Sequence, residues 1–317
     1  MRRREFIALV GGAATWPLLA SAQRAMPTIG FLSNAGDEAS LPTWRQALSE
    51  VGYVDGQNVT IDYRDDQVLA VRAAELVDRN VAIIIAFGNV AARVAKAATA
   101  TTPILFLIGG DPVKLGLVSS LNKPGGNATG VSVLTTASEA KRLELLSELV
   151  PQADPIALLV NPNSATTELK LKELEAAASS LKRQLRILRA SNGRELDTAF
   201  ATITQDKLRA LDIASDNFFR SQCQRLAFLT ARHALPAIAA YREFATDGGL
   251  ASYGASLMDA TRQVAGYMAR ILKGEKPADL PVVQSTKLEF RINMNTAKAL
   301  GVTCPPGLLA IADEVIE

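Results

Sequence analysis

Polar residues placed directly after short apolar runs are where this chain could do chemistry. Ser33 and Asn34 follow TIGFL, Asn89 follows VAIIIAF and Gly88, and Asp111 follows PILFLI and two glycines. Further along, Asn161 and Asn163 follow IALLV, and Asp216 and Asn217 follow residues 211–215. In an open parallel sheet, ligands sit beyond the carboxyl ends of the strands, where helix N-termini also point. Each of these residues alone is an ordinary helix cap, and Pro112 and Pro162 fit the first-turn preference for proline. Together they mean more. Two sheets whose tips face one another would line one cleft with hydrogen-bonding groups. Backbone N–H groups with Ser33 and Asn89 would grip a carboxylate or carbonyl, and Asp111 or Asp216 a cationic group.

Catalytic constellations are missing. The sequence holds no G-x-S-x-G, no P-loop and no G-x-G-x-x-G, and Gly109-Gly110-Asp111 lacks the third glycine of a dinucleotide fingerprint. A single histidine, His233, removes most imidazole chemistry and any multi-histidine metal site. Cys223 and Cys304 are too few for a disulfide framework; they read as buried thiols, with one bridge left open. Asp65-Asp66 reads as solvated helix-start charge, and Trp44, at helical spacing from Leu41 and Leu48, as core. The sequence predicts a binding protein, not an enzyme, with no cofactor and no metal.

Composition bounds the rest. The 317 residues are 48% hydrophobic and 21% charged, ordinary for a globular chain and long enough for two cores. Arg2, Arg3 and Arg4 open an apolar stretch that ends in Ala20-Ser21-Ala22, which predicts an export signal over residues 1–22 cleaved before Gln23. The stretch is shorter than the about 20 residues that span a bilayer. Arg3-Arg4-Glu5-Phe6-Ile7 resembles a twin-arginine signal, with Arg2 and Ala8 off its pattern, so Sec export stays open. The signal carries the whole net charge of +2, leaving a balanced mature chain with no electrostatic footprint for nucleic acid. The expected product is a soluble periplasmic monomer.

The tips need elements to hold them. Near-continuous apolar runs at 28–32, 81–87 and 103–108 suit strands buried on both faces, and 59–63 adds a more polar strand. Helical periods fill 41–51, 67–79 and 90–99. The alternation restarts with a helix at 138–149, a strand at 156–160, a helix at 164–181, a strand at 185–189 and a helix at 195–205. A strand at 210–214 and one helix at 218–233 follow. The fold class is therefore α/β, two Rossmann-like lobes with parallel sheets. Breakers at 121–129, 247–249 and 274–281 mark three crossovers, near 130–135, 250–254 and 280–285. Lobe 1 is expected over 27–129 plus 255–279, and lobe 2 over 133–249 plus 286–317.

Four segments carry a family resemblance: LSEVGYVDGQNVTIDYR (48–64), DPVKLGLVSSLNKPGGNATGVS (111–132), GGLASYGASLMDATRQVAGYMARILKGEKPADLPV (248–282) and INMNTAKALG (292–301). The chain resembles the ABC transporter substrate-binding proteins of the type I periplasmic binding fold, in the branch of the tryptophan- and tyrosine-binding lipoproteins. That resemblance implies two lobes on a three-crossover hinge, closing on a small ligand. It implies a membrane permease as partner; a sensory receptor with the same cleft is the alternative. Asp111 matches the family's Asp-Pro, Asp216 its aspartate after a lobe-2 strand, and Tyr253 its SYG crossover, a hinge-side wall. Asn89-Val90 departs from the Thr or Ser before Pro of many relatives, which separates this chain's ligand from a simple transfer of theirs.

Overall fold

The run Ile83–Phe87 shows how the strands of this protein form. Its β-branched and aromatic residues are all buried, and successive side chains enter opposite cores. Ile83, Ile85 and Phe87 face one core, Ile84 and Ala86 the other. A buried isoleucine of this kind contributes about 1.5–3 kcal/mol over an exposed one. Such a strand needs helices on both faces, and the chain supplies them.

The computed structural model describes residues 26–33, 40–63, 68–133, 135–164 and 166–317. The export signal at 1–22, Asn34 and the Asp65-Asp66 pair lie outside the described residues. The chain begins β1 (Thr28–Leu32), α1 (Leu41–Glu50), β2 (Thr60–Tyr63), α2 (Leu69–Asp78), β3 (Ile83–Phe87), α3 (Asn89–Ala98), β4 (Ile104–Ile108) and β5 (Ala128–Val133). It continues with α4 (Thr135–Leu149), β6 (Ile156–Val160), α5 (Thr167–Ser180), β7 (Leu185–Arg189), α6 (Gly193–Gln205) and β8 (Leu211–Ile213). Then come α7 (Asn217–Ser221), α8 (Cys223–Arg232), β9 (Ala237–Ala239), α9 (Arg242–Thr246) and β10 (Ala251–Ala255). The last part is α10 (Leu257–Leu272), β11 (Val283–Ser285), β12 (Leu288–Asn293), α11 (Met294–Leu300), α12 (Pro306–Ile311) and β13 (Glu314–Ile316).

Among the described residues these strands make two sheets, in the orders β11-β5-β4-β3-β1-β2 and β13-β12-β10-β9-β8-β6-β7. The first is parallel throughout. The second is parallel except where β10 meets β12, pairing Tyr253 with Phe290. Each sheet is sandwiched between two apolar cores, so the fold is α/β with two lobes.

The chain changes sheets three times. It stays in the first lobe through β5, and α4 then buries Leu143 and Leu146 in the second lobe's core. It returns after β10, when α10 packs Ala260, Val264 and Met268 against the first sheet. It leaves again between β11 and β12. The exchanges fall between β5 and α4, between β10 and α10, and between β11 and β12.

Two local differences from the sequence reading have clear causes. The helix predicted over 218–233 is two helices, α7 and α8, meeting at Gln222. The polar segment at 128–133 is a fully buried strand, because backbone carbonyls satisfy its hydroxyls. Thr129 Oγ1 donates to Leu280 O at 2.6 Å and Ser132 Oγ to Gly110 O at 2.8 Å. Cys223 and Cys304 are free, buried thiols in different cores, and burial pushes Cys223 up to about 12. Among the described residues no helix is long and apolar enough to cross a membrane.

Candidate functional site

The carboxyl ends of both sheets meet across one cleft. A cavity of about 310 Å³ lies there, lined by Gly88, Asn89 and Gly109 from the first lobe and by Asn161, Lys170, Asp216 and Tyr241 from the second. A smaller pocket of about 70 Å³ extends it toward the hinge, between Leu107, Val133, Gly254 and Ala255.

The first lobe contributes backbone and one amide. Gly88 precedes α3 at φ +95°, and a Cβ there would sit 2.6 Å from Asn217 Nδ2 of the opposite lobe. Only glycine fits both the dihedral and the approach. Asn89 Oδ1 accepts from the Gly110 N–H at 3.1 Å, tying the tips of β3 and β4 together.

Hydrogen bonding is denser on the second lobe. Asp216 caps α7, accepting from the Phe218 N–H at 2.9 Å and from Asn161 Nδ2 at 2.7 Å. Asn161 Oδ1 in turn accepts from the Asn163 N–H at 3.0 Å. Lys170 is 5% exposed, and its ammonium donates to Ser215 Oγ at 3.0 Å and to the Ser215 carbonyl, 3.5 Å from Glu139 Oε1. Glu139 accepts from the Ser215 N–H at 3.1 Å and from its hydroxyl. Behind it, Arg142 bridges Glu139 and Asp212, 2.6 Å from each.

Buried charges of this kind hold only in company. Burial alone would raise Glu139, but the charges of Arg142 and Lys170 keep its carboxyl below the ordinary value. Burial pushes Asp212 up to about 6 against the pull of Arg142. Burial, with the Asp216 charge beside it, likewise moves the Tyr241 phenol well above its ordinary value.

Of the residues singled out from sequence, the structure brings Asn89, Asn161, Asn163, Asp216 and Asn217 into one cavity. Ser33 is buried directly after β1 and lines neither pocket. Asp111 is exposed, and its carboxylate closes a turn by accepting from the Val113 and Lys114 N–H groups at 2.9 and 3.2 Å. Tyr253 turns from the cleft to pack edge-on against Phe290, with ring centres 6.1 Å apart. Its neighbours Gly254 and Ala255 reach the hinge pocket instead.

Sequence reasoning missed Lys170 and Tyr241. Lys170 shares a helix face with Thr167, Leu171 and Leu174, so a cation among core positions was the available signal. Tyr241 comes just after β9, a strand of three residues, too short to show a period. His233, whose Nδ1 lies 2.9 Å from Thr204 Oγ1, is at the amino ends of β8 and β9, away from the cleft. The cleft is built to bind.

The family model described as "ABC transporter substrate binding protein" matches residues 29–316. A tyrosine-binding protein of Clostridioides difficile is 28% identical over 259 residues, 80% of this chain and 74% of that one. The crystal structure of an ABC domain in complex with L-Trp from Streptococcus pneumoniae is 26% identical, with a TM-score of 0.79, covering 92% of this chain and 99% of its own. A ligand-free, open substrate binding protein with adhesive properties from Clostridium difficile has the same identity and coverage but a TM-score of 0.64. At equal identity, this chain lies nearer the liganded relative than the open one. The Gly88–Asn217 approach and the Arg220 guanidinium 5.2 Å from the Phe87 ring centre agree with closed lobes. The protein belongs to the ABC transporter substrate-binding family of the type I periplasmic binding fold, exported receptors without enzymatic activity that present a small molecule to a membrane permease.

Proposed function

We propose that this protein captures an amino acid, or a closely related small acid or amide, between its lobes and delivers it to its permease. The observation that carries this reading is the 310 Å³ interlobe cavity, walled by hydrogen-bonding groups from both lobes. A ligand that bridges the walls binds the closed state better than the open one and so shifts the population toward closure. The two relatives that hold tyrosine and tryptophan support an amino acid. Asn89 and Asp216 face the ligand directly, with Lys170 and Tyr241 beside them. Ser33 and Asp111 support the tips from outside. The receptor acts in the periplasm as a monomer, after a twin-arginine-like signal is cleaved between Ala22 and Gln23.

The test is a thermal-shift and calorimetric screen of the chain from Gln23 onward against the L-amino acids and their amides. A ligand at about 100 times its Kd adds about 2.7 kcal/mol of stability, enough to raise the midpoint by several degrees. A saturable shift with one class and not the others establishes the reading. No shift with any of them, on protein unfolded and refolded to strip carried-over ligand, removes the amino-acid assignment. Export is tested separately: replacing Arg3 and Arg4 by lysine stops periplasmic accumulation if the twin-arginine route is used.

A further inference from the structure

Beyond Phe87 the cleft opens into a second chamber of about 230 Å³. Trp44, Phe87 and Met258 wall it from the first lobe, and Arg220, Arg242 and Glu243 from the second, so it is complete only when the lobes are closed. Its first-lobe side mixes those apolar walls with the hydroxyl residues Ser40, Thr43 and Thr261. Trp44 is buried and stacks edge-on against both Phe31 and Phe87, with ring centres 5.0 and 6.5 Å away. Arg220 already lies over the Phe87 ring.

The other two charges have no partner among the described residues. Arg242 has no hydrogen-bond or ion-pair partner among the described residues. Glu243 Oε2 is shielded from solvent and has no hydrogen-bond partner among the described residues. The two are neighbours at the start of α9, yet they do not pair with each other. A buried carboxylate oxygen without a donor is costly to keep. A half-buried guanidinium beside it, also unused, doubles the observation. What fits both is a ligand group carrying a carboxylate and an ammonium side by side.

We propose that this chamber is the subsite for the zwitterionic head group of the ligand, with Arg242 taking the carboxylate and Glu243 the ammonium. The inference rests on the amino-acid reading above and adds an orientation to it. The head group lies at Arg242 and Glu243, and the side chain runs past Phe87 toward Asn89 and Asp216. Arginine suits the carboxylate because its planar fork matches two oxygens at once.

Isothermal titration of the chain from Gln23 onward tests this with defined probes: the tightest-binding L-amino acid, its decarboxylated amine and its deaminated acid. Arg242→Gln should weaken the amino acid at least tenfold yet bind the amine as the wild type does. Glu243→Gln should weaken the amino acid similarly yet bind the deaminated acid as the wild type does. Unliganded unfolding midpoints, compared across the three proteins, identify any loss caused by misfolding, and Arg242→Lys then restores part of the affinity lost in Arg242→Gln. If the wild type binds the amino acid and both glutamine variants bind it equally well, the subsite is wrong while the amino-acid reading stands. A variant that folds but loses all three probes alike also overturns the assignment. If the wild type binds no amino acid at all, both readings fall.

Discussion

The two lobes meet the cleft with opposite chemistry. Among the described residues, every charged side chain lining the cavities between them comes from the second lobe: Lys170, Asp216, Arg220, Arg242 and Glu243. The buried Glu139–Arg142–Asp212 bridge stands directly behind that wall. The first lobe offers Trp44, Phe87, two glycines and the neutral Asn89. The difference teaches a division of labour. The second lobe holds two of these charges in place itself: Glu139 and Ser215 fix Lys170, and Asn161 fixes Asp216. The described first-lobe residues that close over them carry no charge. Uncharged walls cost little to desolvate, and by excluding water they strengthen each charge beneath them.

The contrast can be broken most severely at its base. Arg142→Met leaves the Glu139 and Asp212 carboxylates buried without their shared cation, and should cost about 3–5 kcal/mol in urea unfolding. A loss below about 1 kcal/mol would mean the bridge does not support the second lobe. Next is the first-lobe wall. Gly88→Ala puts a Cβ against Asn217 at a dihedral that costs an L-residue about 1–3 kcal/mol. Its expected signature is loss of ligand-induced contraction in small-angle X-ray scattering, with partial recovery in the Gly88→Ala, Asn217→Ala double variant. Contraction as large as the wild type's would show that the lobes do not meet there.

Two aspartates sharpen the comparison further. Asp216→Ala removes a helix cap worth about 1 kcal/mol and a charge facing the cavity, so calorimetric affinity should fall at least tenfold. Asp111→Ala removes only turn bonds, with a stability loss of about 1 kcal/mol or less, and affinity should stay within twofold. If Asp111→Ala abolishes binding instead, charge from the first lobe does reach the ligand and the division of labour fails.

Those aspartates also show where sequence reading stops. Each lies three residues beyond the end of a strand, after β4 and after β8, and each caps the turn that follows. Spacing and residue type are the same, yet one faces the cleft and the other faces water. Tyr253 lies off the pockets for a different reason. Strand alternation sends its ring toward Phe290 and leaves the hinge pocket to its neighbours. Strand β5 was hidden because its composition is that of a linker, and only the carbonyls of residues 110 and 280 make its hydroxyls tolerable in a core.

The sequence by itself determined the alternation of strands and helices, the division into two lobes and the row of polar tips after the strands. These follow from periods of 2 and 3.6 residues and from breakers, all read within a dozen neighbours. Tertiary structure alone decided which tips face the cleft, that the charges lining it among the described residues share one wall, and that Lys170 is held inside. Arg142 finds Asp212 across 70 residues of chain, Lys170 finds Ser215 across 45, and Glu139 finds Ser215 across 76. A buried charge needs partners that distant beside any near ones, so a local pattern can mark it as unusual but cannot show what holds it.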